Sequence, residues 1–402
     1  MGLVQLRYAY RIDPTPAQRI ALAKAFGCAR VVFNDALALR NHAHQVGLPF
    51  ITDAELSRRV STQAKRRPER AWLGEVPAVV LQQALSDCTT AFRNFFASLS
   101  GKRQGPRMAP PRFRSRKDRR QAIRFTKNAR FAVTACGKLR LPKIGDVKVR
   151  WSRPLPAPPS SVTVIKDAAG RYFASFVVEV REQPLPTASA ETGIDLGLGH
   201  FAVLADGRKI DSPRFLRREE KKLKKLQKAL SRKQKGSSNR AKARVKVARQ
   251  HAKVAGARRE FHHQLSIKII RENQAVFVED LAVKGLARTR LAKSVHDAGW
   301  SSFVSMLEYK AKLYGRQFAK VGRFFPSSKL CSACGTVAET MPLNVREWSC
   351  ACGAIHDRDV NAAINILAAG RAERLNACGG PVRPPLAAAR AEEAGSRGSA
   401  AA

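Results

Sequence analysis

The chain has 402 residues, of which 44% are hydrophobic, and 74 Lys and Arg residues against 31 Asp and Glu residues give it a formal net charge of +43. This composition excludes a disordered chain and allows two or three domains with a substantial core. The charge excludes an ordinary neutral enzyme and indicates a polyanionic partner, with nucleic acid as the leading candidate and a merely solvated cationic surface as the alternative.

The sequence of the N-terminus and the pattern of cysteines indicate where in the cell the protein is expected. No apolar stretch is long enough to span a bilayer, and residues 1–7 lack the hydrophobic core of a signal peptide. We therefore expect no membrane partner and a location in the cytoplasm, in the cytosol or on the nucleoid, where disulfides are rare. Of eight cysteines, Cys28 and Cys88 fit amphipathic patterns as small core residues, while Cys136 and Cys378 are isolated.

The first part of the chain has the pattern of a small β domain interrupted by helices. Alternating apolar and polar residues predict a strand over 3–12, and Thr15, Pro16 and Gln18 predict a capping box at the start of a helix that continues to about residue 44. Further segments follow in chain order: helices over 53–65 and 77–98, a basic loop over 102–120, strands over 122–131 and 138–149, and a hairpin of 162–165 with 172–180.

A linker over 184–190 introduces a second domain, whose first predicted strand, 193–204, carries Asp195 inside an apolar run. Residues 214–259 contain 19 Lys and Arg residues and only Glu219 and Glu220 as acids. Leucines at helical spacing predict two long basic helices, broken near residues 236–238. A charge run is often a solvated helix face, but the strong bias of sign favours contact with backbone phosphates.

The remaining predicted elements of this domain are a helix over 261–271, an apolar strand over 275–279 that ends in Glu279, and an amphipathic helix over 300–319. The last thirty residues, rich in Ala, Arg and Gly, are predicted to be disordered.

Four cysteines between these elements form two close pairs. Cys331 and Cys334 are separated from Cys350 and Cys352 by a fifteen-residue loop, and a glycine follows each pair. Four thiolates are the ligand set of a closed, structural Zn²⁺ site, so we expect one zinc ion that contributes folding energy. The second pair is C-x-C where C-x-x-C is usual, with His356 as a substitute ligand. The alternative is four reduced cysteines without metal.

Three acids in apolar surroundings form the second constellation. Asp195 and Glu279 lie in predicted strands, and Asp359 opens a predicted helix that contains the small residues Ala362 and Ala363. Unpaired carboxylates are costly to bury, and three in one domain indicate a shared divalent cation, as in a metal-dependent nuclease. Asp357 competes for the third position, but we favour Asp359 as the ligand and Asp357 as a helix cap or supporting acid.

Each acid also has a simpler interpretation when it is taken alone. Asp195 could be a turn residue, Glu279 could pair with one of the many arginines, and both Asp357 and Asp359 could be helix-capping acids. The combination of all these separate roles is less plausible than a single metal site that accounts for the three acids together.

These motifs resemble the TnpB family, transposon-encoded relatives of type V CRISPR effectors. The resemblance spans nearly the whole chain, and its most specific part is the cysteine knuckle that runs directly into Asp-Arg-Asp-x-Asn-Ala-Ala. It includes residues 27–34, 91–96, 325–331 and 357–366. The resemblance implies an α/β fold plus a small β-barrel: an N-terminal wedge β-barrel interrupted by a helical recognition insert, then a RuvC/RNase H-like nuclease domain with a zinc-binding insertion.

The implied boundaries are a wedge over 1–12 and 113–183, an insert over 13–112, a nuclease domain over 191–325 and 357–372, a zinc insertion over 326–356 and a disordered tail over 373–402. The implied activity is RNA-guided cleavage of DNA beside a short motif, by a guide transcribed from the element's own end. Asp195, Glu279 and Asp359 match the family's catalytic acids, and Asp195 is expected to bridge two Mg²⁺ ions roughly 3.5–4 Å apart.

The expected partners are the guide RNA and a target DNA duplex, bound by the chain as a monomer or a homodimer. Candidate nucleic-acid contacts come from the insert, the basic loop and the basic helices: Gln82, Thr126, Arg112, Arg114, Lys221, Lys225 and Arg232. Gln82 and Thr126 are the candidates for reading the motif beside the target, since an amide can pair two edges of adenine. The alternatives are a guide-directed DNA-binding protein without cleavage and a transposase accessory protein.

Overall fold

The computed structural model of the chain describes residues 2–118, 120–342 and 344–377, without the side chains of residues 375–377. It divides into two compact units, Leu3–Val180 and a second unit that begins at Arg181. No helix within the described ranges is both long and apolar enough to cross a membrane.

The first unit combines a sheet with a group of helices. Its elements are β1 (Leu3–Asp13), α1 (Pro16–Gln45), α2 (Asp53–Ser57), α3 (Ala78–Leu99), β2 (Gln121–Thr126), β3 (Ala132–Val133), β4 (Lys138–Leu141), β5 (Gly145–Arg150), β6 (Ser161–Lys166) and β7 (Tyr172–Arg181). Over the described residues the strands form a seven-stranded sheet in the order β2-β6-β7-β1-β5-β4-β3. β2 and β3 lie at the two edges and do not pair with each other, so the sheet is open and forms a half-barrel, whereas a wedge β-barrel was expected.

The helices of this unit begin largely where local chemistry places them. Thr15 Oγ1 accepts a hydrogen bond from Gln18 N at 3.3 Å, and Gln18 Oε1 accepts one from Thr15 N at 3.0 Å, which confirms the predicted capping box. The predicted helix over 53–65 is shorter than expected, because after α2 the chain continues as a π-helical turn (Arg58–Gln63) and a 3₁₀ turn (Ala64–Arg66). The basic loop over 102–120 has no regular structure in its described part.

The core of the first unit lies between the helices and one face of the sheet. Tyr10, Phe125 and Phe176 are almost fully buried there with residues of α1 and α3. The predicted strand over 138–149 is wrong in one respect, since a turn with Lys143 in the left-handed region at φ 56° divides it into β4 and β5.

The second unit is a mixed sheet covered by helices. Its elements are β8 (Glu191–Asp195), β9 (His200–Leu204), β10 (Lys209–Asp211), α4 (Phe215–Ser231), α5 (Ser238–Glu272), β11 (Ala275–Glu279), α6 (Val283–Leu286), α7 (Ala292–Ala298), α8 (Trp300–Leu313), β12 (Gln317–Val321), β13 (Glu347–Ser349), β14 (Ile355–Asp357) and α9 (Arg358–Ala377). The five-stranded sheet over the described residues has the order β10-β9-β8-β11-β12, in which β8, β11 and β12 are parallel.

Alternate residues of β11 separate the two faces of this sheet. Val276 and Val278 pack with Phe303 and other residues of α5 and α8, while Phe277 packs with Ile366 of α9. Helices therefore cover both faces, as a buried parallel sheet requires.

The two basic helices are confirmed as α4 and α5, and Ser237 caps α5 by accepting a hydrogen bond from Arg240 N at 3.1 Å. Two other predictions in this unit are wrong. The strand over 193–204 is an antiparallel pair, β8 and β9, since the glycine-containing segment 196–199 turns the chain. The helix over 300–319 ends at Leu313, because Gly315 adopts φ 63° and the chain then pairs with β11 as β12.

Helix α9 extends beyond residue 373, where a disordered tail was predicted to begin. Arg371 Nε and Arg374 Nη1 each donate a hydrogen bond at 2.6 Å to the carboxylate of Glu191 on β8, which holds these last turns on the sheet. The rest of the predicted tail, together with Cys378, lies outside the described residues.

Candidate active site

Asp195 and Glu279 stand at the same edge of the second sheet. Each is the last residue of its strand, and β8 and β11 are parallel neighbours in which Ile194 is paired with Val278. Residues that follow a pair in parallel strands project together from the opposite face, so both carboxylates lie on the face that carries Gly193 and Phe277.

Helix α9 lies on this same face because two glycines leave room for it. A Cβ atom at Gly193 would lie 2.2 Å from the carbonyl oxygen of Ala363, and one at Gly370 would lie 2.1 Å from the ring of Phe277. Ala363 is itself completely buried. The small residues predicted to permit close packing do so, and the first turn of the helix, with Asp359, is brought to the edge where the two strand acids end.

The three acids share one electrostatic environment. Burial, followed by the negative charges of Asp359 and Glu279, raises the pKa of Asp195 to about 7, and Arg358 partly offsets these effects. Burial, followed by the charge of Asp280, also raises the pKa of Glu279. Like charges held together in a partly buried place favour protonation or a shared cation.

Asp357 has a different role from Asp359. Its Oδ1 accepts hydrogen bonds from the backbone N–H groups of Asp359 at 3.1 Å and Val360 at 3.0 Å, so it caps α9 as predicted. Its Oδ2 lies 2.5 Å from the ammonium of Lys209. The hydrogen bonds from Lys209 and the helix keep the pKa of Asp357 low even though burial opposes them. Asp357 is therefore already satisfied by the protein.

The arginine pairing considered for Glu279 is not found in the described part of the chain, where neither Glu279 nor Asp195 forms an ion pair. Three arginines lie near the acids. Arg323 Nη2 donates to Asp280 Oδ2 at 2.7 Å, Arg358 Nη1 donates to Pro342 O at 2.9 Å, and Arg346 Nη1 lies 3.5 Å from Asp359 Oδ1. The oxygen atoms that Asp195, Glu279 and Asp359 offer are carboxylates, which suit a hard divalent cation such as Mg²⁺.

The four clustered cysteines converge as the sequence predicts. Their Sγ atoms all lie within 4.8 Å of one another, with 3.8 Å between Cys331 and Cys352 and 3.6 Å between Cys334 and Cys350. Tetrahedral Zn²⁺ with Zn–S bonds of about 2.3 Å requires sulfur atoms about 3.8 Å apart, so the thiols fit zinc and the short C-x-C spacing does not prevent it. Hydrogen bonds with Thr336, followed by those with Cys352 and Cys331, lower the pKa of Cys334 to about 6, which favours its thiolate.

His356, the substitute ligand, packs against this group from one side. Its Nε2 lies 3.0 Å from Cys331 Sγ, and its ring lies 4.8 Å from the ring of Trp348. With four cysteines already converging, the imidazole is placed to hydrogen-bond a thiolate, as neighbours of structural metal sites commonly do.

Two buried asparagines on α9, absent from the sequence predictions, connect the cysteine group to the carboxylates. Asn361 Oδ1 accepts from Ser332 N at 3.0 Å and its Nδ2 donates to Leu330 O at 2.7 Å, while Asn365 Nδ2 donates to Ser327 O at 2.8 Å. The two asparagines are four residues apart and therefore lie on one face of the helix. This spacing is the feature of the sequence from which their shared role could have been predicted. They attach the segment before the first cysteine pair to the helix that carries Asp359.

The candidate nucleic-acid residues have unequal surroundings. Gln82, Arg112, Lys221, Lys225 and Arg232 are exposed, and Thr126 is half-buried at the end of β2.

Arg114 is an unfavourable candidate for direct nucleic-acid contact. Its Nη2 donates to Asp87 Oδ2 at 3.0 Å, and its guanidinium lies 3.8 Å from the centre of the Phe33 ring. The structure therefore gives this side chain an internal packing role, which a charge count along the basic loop could not reveal.

Comparisons with known proteins agree with this architecture. The family model described as "Probable transposase" of the insertion-sequence OrfB type matches residues 175–290, and a "Cas12f1-like, TNB domain" model matches residues 300–366. A "Helix-turn-helix domain" model of the same OrfB type matches residues 1–47. The matches to the second unit include the strands that carry Asp195 and Glu279 and the whole cysteine group.

Two curated relatives match over nearly their full length. A protein of Streptomyces pristinaespiralis, named "Putative RNA-guided DNA endonuclease", is 45% identical over 96% of this chain and 93% of its own. An Escherichia coli protein, named "Putative RNA-guided DNA endonuclease InsQ", is 30% identical over 92% of this chain and 93% of its own. Among solved structures, the chain in a Cas12f1–sgRNA–target DNA complex is similar with a TM-score of 0.55 and 13% identity, over 90% of this chain and 98% of that one, which supports the fold.

Proposed function

The chain belongs to the TnpB family of transposon-encoded RNA-guided DNA endonucleases, and from that premise we propose that it cuts double-stranded DNA at a site chosen by a bound guide RNA. The guide is transcribed from the element's own end, and the cut lies beside a short motif. The proposal is supported by the position of Asp195 and Glu279 at the ends of parallel neighbouring strands, on the sheet face against which α9 packs with Asp359 in its first turn.

The proposed reaction is divalent-metal-dependent hydrolysis of a phosphodiester. Asp195, Glu279 and Asp359 would hold Mg²⁺, which when bound supplies an activated water nucleophile and stabilises the leaving oxygen. Asp195, whose pKa of about 7 leaves part of its carboxyl group protonated at neutral pH, would release that proton when it binds the cation. Asp357 keeps the first turn of α9 in place and stays outside the ligand set.

We assign the second unit to a nuclease domain of RuvC/RNase H type with a zinc-binding insertion. Two features support this assignment. β8, β11 and β12 are parallel, and the acids that end β8 and β11 lie on the face covered by α9. The four cysteines that precede α9 in the chain have sulfur atoms spaced as in a tetrahedral zinc site. Zinc at Cys331, Cys334, Cys350 and Cys352 has a structural role, because four protein ligands leave no open position for a substrate.

We assign guide and target binding to the basic surface. The charge of +43 and the exposed Lys221, Lys225 and Arg232 on and beside α4 suit sequence-independent contact with phosphates. Sequence choice then comes from pairing of the guide with the target strand, while exposed Gln82 on α3 is a candidate for reading the adjacent motif.

The test is a cleavage assay on the complex with its co-purified RNA, using a DNA duplex that contains the sequence complementary to that RNA. Wild type should cut only in the presence of Mg²⁺ and only the matching duplex. Asp195→Ala should bind the duplex with a Kd within about twofold of wild type but should not cut, since binding rests on phosphate contacts. Asp211→Ala, an exposed acid on β10 of the same sheet, is the matched control and should cut normally.

Three results would overturn the proposal or part of it. Equal, sequence-blind cutting after the RNA has been stripped would identify an ordinary basic nuclease. Guided binding without any cutting by wild type would identify a guide-directed DNA-binding protein. Normal cutting by Asp195→Ala would remove the assigned catalytic centre.

A further inference from the structure

Lys209 is placed toward the carboxylate site by the register of the sheet. It lies on the edge strand β10 opposite Val203 of β9, and Val203 is in turn opposite Asp195 of β8. Directly opposed residues of neighbouring strands project from the same face. Lys209 therefore extends from the face that carries Asp195 and on which α9 lies.

Lys209 contacts the one oxygen of the Asp357 carboxylate that the helix backbone does not. Its ammonium lies 2.5 Å from Asp357 Oδ2, while Asp357 Oδ1 accepts the backbone N–H groups of Asp359 and Val360. Both oxygens are thus occupied, one by a side chain of the sheet and the other by the first turn of the helix. A single carboxylate joins the edge of the sheet to the backbone of Asp359.

The charge of Lys209 also acts within a group of acids. Asp357, Asp359 and Glu347 all favour its charged form, with Asp357 the largest influence. If the lysine were removed, Asp357 would lose its only side-chain ion pair among the described residues. Arg346 would still lie beside Asp359, but the repulsion between the two carboxylates would be less well offset. The expected consequence is displacement of the turn that presents Asp359 to Asp195.

We propose that Lys209 is a positioning residue of the divalent-metal site, which holds Asp359 in place through Asp357 without touching metal or DNA. This inference rests on the proposed function, because it assumes that Asp195, Glu279 and Asp359 bind the metal. A surface ion pair by itself stabilises a protein little, so the predicted effect is on metal affinity and not on folding.

The experiment compares Lys209→Ala, Lys209→Arg and Lys320→Ala as full-length chains with bound RNA. Lys320 is a matched control, since it lies on β12 at the opposite edge of the same sheet, has similar exposure, and pairs with an acid, Glu308, at 3.8 Å. Mn²⁺ binding is measured by the loss of the free-ion electron paramagnetic resonance signal. Because the RNA itself binds Mn²⁺, binding at the site is the difference between each variant and Asp195→Ala with the same RNA. The Mg²⁺ concentration for half-maximal cleavage, the affinity for target DNA and the melting temperature are measured alongside.

Lys209→Ala should weaken Mn²⁺ binding about tenfold, the low end of the effect of removing a supporting residue from a metal site, and should raise the Mg²⁺ requirement in parallel. Lys209→Arg should recover most of the affinity because it restores the cation. Target-DNA affinity and the melting temperature should match those of Lys320→Ala. Mn²⁺ affinity for Lys209→Ala equal to that of Lys320→Ala would refute the proposal, as would a drop in melting temperature with unchanged metal dependence.

Asp195→Ala distinguishes an error about Lys209 from an error about the metal site itself. If Asp195→Ala loses Mn²⁺ while Lys209→Ala binds like the control, the metal site stands and the role of Lys209 is refuted. If Asp195→Ala binds Mn²⁺ like wild type, the metal site itself is wrong and the inference falls with it.

Discussion

Asp195→Asn should stabilise the protein at pH 8 in the absence of divalent ions, although it destroys the proposed active site. The pKa of this carboxyl group rises from 3.8 to about 7 on folding, chiefly through burial and then through the charges of Asp359 and Glu279. The folded protein therefore holds the proton more tightly than the unfolded chain. The stabilising contribution of this group is complete below about pH 3.8 and is lost as the pH rises through about 7.

The size of the effect follows from that pKa difference. At about 1.4 kcal/mol per pKa unit, the rise from 3.8 to about 7 corresponds to about 4 kcal/mol, which is the upper limit of what the neutral amide recovers at pH 8. Asp195 keeps partial contact with solvent, and screening reduces the cost of its charge, so we expect a gain of about 1–4 kcal/mol. Near pH 4 the gain should vanish, because the wild-type carboxyl group is then protonated in the folded state.

The assay is urea unfolding of RNA-free protein in Mg²⁺-free buffer at several pH values, followed by the fluorescence of a variant in which Trp300, buried in the second unit, is the only tryptophan left. Asp211→Asn is the control, since it removes the same formal charge from an exposed site on β10. Mg²⁺ at one hundred times its Kd should reduce the advantage of the variant by about 2.7 kcal/mol, because the ion stabilises the wild type and leaves the variant unchanged. A gain that is independent of pH, or equal to that of Asp211→Asn, would refute the reasoning.

Four further outcomes are expected. Asp359→Ala should abolish cleavage with target binding intact, whereas Asp357→Ala should cut slowly and need more Mg²⁺, and the opposite pattern would make Asp357 the ligand. The double change Cys331→Ser, Cys334→Ser should remove the single zinc found by metal analysis and lower activity indirectly, and wild-type activity would contradict a structural zinc. Asn361→Ala should lower the melting temperature and activity with zinc still bound, which metal analysis and cleavage rates would distinguish. RNA affinity should fall steeply with salt, with a log–log slope of roughly 0.7–0.9 per phosphate contact, and a salt-independent affinity would contradict phosphate binding.

The features that were predictable from the sequence are those with a local cause. The capping box at Thr15, the break between the two basic helices and the convergence of four cysteines each depend on a few adjacent residues or on a known ligand geometry. The placement of Glu279 at a strand end was predicted for the same reason, since an acid that ends an apolar run also ends the buried part of a strand. Asp195 was predicted inside a strand over 193–204, but it is the last residue of β8.

The features that were missed depend on partners distant in the chain. β12 is a strand because β11 lies beside it, and without that neighbour the residues after α8 continue an amphipathic helical pattern. Lys209 is indistinguishable by composition from dozens of other basic residues, and only the register through β9 places it near Asp357. The internal pairing of Arg114 with Asp87 is hidden from sequence for the same reason.

The position of α9 links the cysteine group and the carboxylates, the two proposed metal sites of the second unit. Gly193 and Gly370 set how closely the helix approaches the sheet, and Asn361 and Asn365 set how the cysteine segment attaches to the helix. A change on either side therefore moves the same rigid element, which carries Asp359. Loss of zinc and loss of close packing on the sheet should consequently impair the carboxylate site in the same way, although neither change touches a carboxylate.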